Sequence, residues 1–320
     1  TDYRWLTVIN EQIQTLYLQI TKGPMAFTSI ALILLSAFCH ALWNFYSKSS
    51  RDTRILFFWC GFYTVAIALV AFGIKQPVIP KSVWVYIAGS ALVHLFYRLF
   101  LTHAYTVGEI SFVYPITRAA PAFLPLFAFI LLNERISAQG LIGILCVMAS
   151  IVLYQQREAR IQFKAFLRYL REPDSLWAYA TLASVIGYSL IDKQGMSEFH
   201  RYSTDAPLWR AVTYYLMENS ISQVFYGLSC LARFPHQQIA EIGRTDWKRS
   251  LVLVGLSLTS YSLILYVLMT EKVSYVTAVR QCSVIFVVLL GGYALKEAYT
   301  KRRLIAAVVM VLGIFLIAYQ

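Results

Sequence analysis

Apolar residues along this chain come in long uninterrupted blocks, without the alternation of a half-buried strand. The blocks run over residues 26–46, 55–74, 83–104, 110–132, 137–155, 175–193, 207–232, 249–270, 274–295 and 302–319. About 20 residues at 1.5 Å rise cross the hydrocarbon core of a bilayer, so each block predicts a spanning helix. The expectation is an all-α integral membrane protein with ten transmembrane helices and both termini on one side. Barrel strands would instead alternate apolar and polar positions over about ten residues.

Polar positions sharpen the picture at two places. In residues 1–24, Leu6, Ile9, Ile13, Leu16 and Ile20 recur at spacings of three and four, which predicts an interfacial amphipathic tail. The alternatives are a partner-binding or an added tail, with Met25 as the start. In the connection 157–174, Arg157, Arg160, Lys164, Arg168 and Arg171 form a basic stripe beside Phe163, Phe166, Leu167 and Leu170. That pattern fits a basic amphipathic linker on an anionic membrane surface, or a solvated linker helix. No cleavable signal-peptide pattern precedes the first span.

Composition agrees. Of 320 residues, 58% are apolar and 14% charged, against about 25% charged in an average soluble domain. The formal charge of +12 lies in short inter-helix loops, so it reads as loop bias and excludes a nucleic-acid partner. Cys39, Cys60, Cys146, Cys230 and Cys282 are scattered through apolar blocks as free thiols, with no metal-ligand spacing. Sixteen Lys and Arg flank the odd-numbered loops against eight in the other loops and tails. By charge bias, the termini lie outside.

The chain also repeats itself. SFVYPITRAAPAFLPLFAFILLNE from Ser111 aligns without a gap to SYVTAVRQCSVIFVVLLGGYALKE from Ser274. Six positions are identical: Ser111/Ser274, Val113/Val276, Phe123/Phe286, Leu126/Leu289, Leu132/Leu295 and Glu134/Glu297. Each copy precedes a polar turn and one last apolar block. The chain thus reads as two five-helix repeats, 25–156 and 175–320. An odd number of spans per repeat forces the second to insert upside down, giving two inverted repeats.

These features resemble the drug/metabolite transporter superfamily, in its ten-helix EamA-type branch, over residues 26–320. GEISFVYPITRAAPAFLPLFAFILLNERISAQGLIGI carries the strongest likeness. HALWNFYSKSSRD and LVHLFYRLFLTHAY further resemble a bacterial subgroup linked to phosphonate use. The resemblance implies a basket of helices around a central cavity and alternating access of a small organic metabolite without ATP, in the bacterial cytoplasmic (inner) membrane. It also implies cytoplasmic termini, the reverse of the charge bias.

An ionisable side chain at the centre of a span costs about 2.5–3.5 kcal/mol on insertion scales and marks a functional position by default. The third span holds His94, Arg98 and Thr102 on one face, with Tyr97 beside them. The fourth holds Arg118 between Pro115 and Pro121, with Tyr114 and Thr117 as lining candidates; the ninth holds Arg280 and Gln281 at the matching place. His40, Trp43, Asn44 and Tyr188 complete a candidate substrate site, with Tyr46, Tyr261 and Tyr266 as aromatic candidates. His40, His94 and Glu218 are candidates for carrying a proton.

An arginine fork binds carboxylate or phosphate bidentately, so a cationic interior points to an organic anion or zwitterion: amino-acid-like, phosphonate or phosphorylated. Each Arg can instead bond backbone carbonyls or snorkel to the interface. Glu134 and Glu297 read as caps, and Asp192 with Lys193 as an end-of-span pair. No phosphate loop, metal cluster or cofactor motif is present.

Two other readings follow from the same residues. One is a flippase for a phosphate-bearing lipid or lipid-linked sugar. The other is an intramembrane enzyme built on His40 and Glu218. The expected partners are the substrate and membrane lipids, with the chain as monomer or homodimer.

Overall fold

The computed structural model describes residues 25–47, 50–108, 110–155, 168–286 and 301–319. Among them every regular element is a helix: α1 Phe27–Ser47, α2 Thr53–Ile74, α3 Lys81–Val107, α4 Ile110–Thr117, α5 Ala120–Leu132, α6 Ala138–Gln155, α7 Ser175–Tyr202, α8 Pro207–Arg233, α9 His236–Leu268, α10 Val273–Arg280 and α11 Lys301–Ala318. The amphipathic tail 1–24 and most of the basic stripe, 156–167, lie outside the described residues, as does Glu297.

Four helices, α1, α2, α3 and α9, are long and apolar enough to cross a membrane by length and composition. Four of the other expected spans differ from a plain apolar helix for visible reasons. Helices α7 and α8 are long enough but carry Asp192, Lys193, Arg210, Glu218 and Asn219 buried in their interiors. The fourth span is not one helix: it stops at Thr117 and restarts at Ala120, with Pro121 in the first turn. The ninth stops at Arg280 and resumes helix at 283.

Two expected boundaries need correction. Helix α7 runs on to Tyr202, nine residues past the predicted end of its span at 193, which places Asp192 and Lys193 inside the bundle. Helix α9 begins at His236 and absorbs residues 236–248 of the expected long connection 233–248. Its early turns carry Glu241, Arg244, Asp246 and Lys248, so no apolar block announced them. At 1.5 Å per residue, 33 residues extend about 50 Å, well beyond a hydrocarbon core of about 30 Å.

The helix breaks fall at matching places in the repeat. In the gapless alignment, α4 (Ile110–Thr117) and α10 (Val273–Arg280) have the same bounds. Both breaks are tightened by three-residue turns: Ala119 N donates to the Ile116 carbonyl at 3.1 Å, and Cys282 N to the Val279 carbonyl at 3.1 Å.

Across the two copies, α1 packs on α9, α2 on α8, α3 on α7, α5 on α10 and α6 on α11. Small residues permit the closest of these contacts. Gly143 and Gly313 bring α6 and α11 so near that a Cβ on either would lie 2.7 Å from the other's backbone oxygen. Helices α1 and α9 are joined by reciprocal bonds: Ser36 Oγ donates to the Ser260 carbonyl at 2.7 Å, and Ser260 Oγ to the Ser36 carbonyl at 2.9 Å. In an apolar medium such hydroxyl pairs replace the hydrophobic effect as an adhesive.

Loop contacts gather at the ends of the helices. After α1, Ser50 Oγ donates to Asp246 at 2.7 Å and Arg51 pairs with Glu241 at 3.2 Å, both at the start of α9. The segment after α2 meets the segment after α7, where Val78 N donates to Asp205 at 2.9 Å. Asn133 closes α5 in the left-handed conformation (φ 53°). Beyond that turn the Glu134 carboxylate accepts from Val273 N at 3.1 Å, capping α10.

Candidate functional site

The two helix breaks open on a shared cavity of about 100 Å³. Arg118 sits in the first break and Arg280 at the end of α10, and both line it. Placing basic side chains there suits the local field, since the C-terminal turns of α4 and α10 present partly negative carbonyls. The Arg118 guanidinium lies 5.3 Å from the centre of the Tyr114 ring, and that of Arg280 lies 5.1 Å from the centre of the Tyr261 ring. Among the described residues neither guanidinium has a hydrogen-bonded or ion-paired acceptor. Gln281 lines the same space, and its Oε1 is buried without a donor.

Of the residues expected in or around the site, His40, Tyr97, Thr117, Arg118, Tyr188, Tyr261, Arg280 and Gln281 line the cavity. The remainder stand elsewhere. Tyr114 supports Arg118 through its ring face. Trp43 stacks between His40 and Phe57, at 6.0 and 5.2 Å, while Asn44 donates to the His40 carbonyl within its own helix at 2.8 Å. Arg98 turns away from the cavity and donates to Asn219 Oδ1 at 3.0 Å. Asn219 Nδ2 in turn donates to the Tyr215 hydroxyl at 2.6 Å, which donates to Ser257 Oγ at 2.8 Å. The arginine thus joins α3 to α8 and, through Tyr215, to α9.

His94 and Glu218 form a pair behind the cavity wall, with Nδ1 and Oε1 3.2 Å apart. His94 also stacks on Tyr188 at 4.1 Å. Glu218 therefore faces His94 rather than His40, which removes the geometric basis of the intramembrane-enzyme reading.

One principal group differs from its expected role. Asp192, expected beside Lys193 at the end of a span, is fully buried and lines the cavity. Its carboxylate collects three hydroxyls: Ser90 Oγ at 2.5 Å and the Tyr214 hydroxyl at 3.2 Å on one oxygen, and the Tyr261 hydroxyl at 2.5 Å on the other. Lys193 does not pair with it. Its ammonium donates instead to the Leu268 carbonyl at the end of α9, at 2.8 Å. Asp192 lies four residues after Tyr188, one turn along the same face of α7, a spacing that could have marked it.

Helices that carry buried charge toward a common cavity, beside others long and apolar enough to cross a bilayer, mark a multi-pass helical membrane protein. The chain belongs to the EamA-like transporter family, within the drug/metabolite transporter superfamily: the family matches it twice, over residues 27–155 and 216–319. The family is one of transporters, not enzymes. A solved structure described only as "Crystal structure of protein" superposes with a TM-score of 0.64 at 15% identity, covering 90% of this chain and 95% of its own. At that identity the likeness concerns the fold alone. No functionally curated protein matches the chain.

Proposed function

We propose that this transporter moves a small organic anion or zwitterion across the membrane by alternating access, without ATP. The observation that carries the reading is the pair Arg118 and Arg280. They come from matching breaks in two helices, line one cavity, and lack acceptors among the described residues. A buried or half-buried guanidinium without an acceptor is costly. A carboxylate, phosphonate or phosphate between the two forks would supply the missing acceptors bidentately. The first turn of α5, its partly positive end in the same break, favours the same charge.

The transport cycle in this reading rests on two inverted five-helix repeats, 25–156 and 175–320, within ten spans. The membrane in this reading is the bacterial cytoplasmic membrane. Three observations support the arrangement: the double family match, the equal bounds of α4 and α10, and the pairing of helices. If the sixth span (α7) is the counterpart of the first (α1) and the eighth (α9) of the third (α3), then α1 on α9 is the symmetry mate of α7 on α3, as a pseudo-two-fold axis requires.

Both parts can be checked. Glutamate, methylphosphonate and glycerol 3-phosphate represent the three anionic classes, and choline the opposite charge. At least one of the anions is expected to raise the melting temperature of the purified protein and to show saturable counterflow in sealed vesicles. Stabilisation by choline alone would refute the assigned polarity. For the topology, single cysteines at Ser50 and Ala240 are expected to react with an impermeant maleimide from one and the same side. Labelling from opposite sides would remove the even number of crossings between them.

A further inference from the structure

The polar cluster behind the cavity presents more contacts than its hydroxyl hydrogens can fill. The Tyr261 hydroxyl stands between Asp192 Oδ2 at 2.5 Å and His94 Nε2 at 3.3 Å, with one hydrogen to serve both. Ser90 commits its hydrogen to Asp192 at 2.5 Å, and the Tyr214 hydroxyl also donates to that carboxylate. On the other side of the imidazole, His94 Nδ1 donates to the Ser90 carbonyl at 3.0 Å and lies 3.1 Å from Ser90 Oγ, while Glu218 Oε1 stands 3.2 Å away as an ionic neighbour without a hydrogen-bonded donor among the described residues. With a hydrogen on Nδ1, the line from Nε2 through Tyr261 to Asp192 needs two hydrogens and the tyrosine supplies one. The second lies on Nε2 or on Asp192. With the hydrogen on Nε2 alone, Nδ1 would face the Ser90 carbonyl lone pair to lone pair, so the 3.0 Å contact requires the hydrogen on Nδ1.

Every filled arrangement therefore holds one proton more than two carboxylates and a neutral imidazole. The proton passes between the ends without net change. Asp192 gives its hydrogen to the Tyr261 oxygen as the Tyr261 hydrogen moves to Nε2: the O–H bonds of Asp192 and Tyr261 break, a new O–H forms at the tyrosine and an N–H at the histidine, leaving a carboxylate and an imidazolium. Asp192 and Tyr261 line the cavity, whereas His94 and Glu218 do not. The relay thus has one end lining the cavity, at Asp192, and one end away from it, at Glu218, both carboxylates being buried.

The groups around it are defined. Arg280 acts on Asp192 and His94, Arg98 acts on His94 and Glu218, and Tyr188 covers the imidazole. Tyr214 bonds Asp192 from α8, Lys193 is engaged by the Leu268 carbonyl, and Arg118 shares the cavity.

We propose that Asp192, Tyr261, His94 and Glu218 form a single proton-binding site, opening into the cavity at Asp192, to which transport is coupled. The direction of coupling rests on the anion reading above. A carboxylate at Asp192 repels an anion held by Arg280, and a proton on Asp192 removes that repulsion, so proton and anion favour each other's binding and travel together.

The test uses the purified full-length chain without any transported molecule. Its infrared spectrum is titrated with acid for the wild type, Asp192→Asn and Tyr261→Phe. In the wild type a carboxylic-acid carbonyl band is expected to rise together with a change in the imidazole bands, in one step. Asp192→Asn removes that band; Tyr261→Phe retains it but separates carboxyl and imidazole into two steps. No titrating acid band in the wild type, a band unaffected by Asp192→Asn, or a single joint step in Tyr261→Phe would each overturn the proposal. Because no anion is present, a negative anion screen leaves this result standing. Failure here likewise leaves the anion reading intact.

Discussion

Arg118→Ala and Arg280→Ala are each expected to weaken half-saturation of counterflow by roughly ten- to a hundredfold, and the double variant to abolish it. The magnitude follows from charge-assisted hydrogen bonds, worth about 1.5–3 kcal/mol each against their loss. The two forks are the cavity's only guanidinia among the described residues. Arg→Lys at either site keeps the charge but not the planar fork, so partial recovery is the expected outcome. Arg98→Ala supplies the contrast. Its guanidinium joins helices through Asn219 instead of facing the cavity, so it should lower the melting temperature more than the affinity. Counterflow unchanged in both Arg118→Ala and Arg280→Ala would remove the anion site. An Arg98→Ala variant with the larger affinity loss would move it to α3.

The second large effect concerns folding. Gly143→Leu is expected to yield little monodisperse protein, and Gly143→Ala or Gly313→Ala to melt several degrees lower than wild type. A Cβ at Gly143 would lie 2.7 Å from the Gly313 oxygen and 2.8 Å from an Ile317 side-chain carbon. Backbone cannot swing aside as a flexible side chain does, so the whole of α11 must shift. Overpacking of this kind costs about 1–3 kcal/mol and more for larger groups. Gly255→Ala in α9 is the control. Nothing stands within 4 Å of its new methyl, and alanine exceeds glycine in helix propensity by about 1 kcal/mol. A Gly143→Ala protein as stable as Gly255→Ala would show that α6 and α11 separate freely.

What could be read from the residues depended on how each feature is written. Helices announce themselves through apolar blocks, which explains why α1, α2 and α3 appear close to their predicted limits. The first helix break is announced as well, because Pro121 removes a backbone donor just beyond Arg118. The second break has no proline near Arg280; only the alignment to the first copy pointed there. Polar segments misled in both directions. The charged early turns of α9 resembled a connection, while Asp192 beside Lys193 resembled the exit of a span.

The individual site residues are a three-dimensional matter. Arg98, Arg118 and Arg280 look alike in sequence, each a lone cation in an apolar block. What separates them is an Asn219 oxygen one residue past Glu218 on α8, a partner that no spacing along α3 reveals. Tyr261 gains its importance only by standing between groups from α7 and α3.

The cross-pairing of helices also bears on how the protein is made. As α1, α2 and α3 leave the ribosome, their chief neighbours α9, α8 and α7 have yet to be synthesised. The early helices must therefore wait in the lipid with Arg98 lacking its Asn219 and Ser36 its Ser260. Neither half is then expected to fold alone, and a chain cut in the 157–174 connection is expected to be stable only as a pair of fragments. The nascent first half is the form most in need of a chaperone or an insertase.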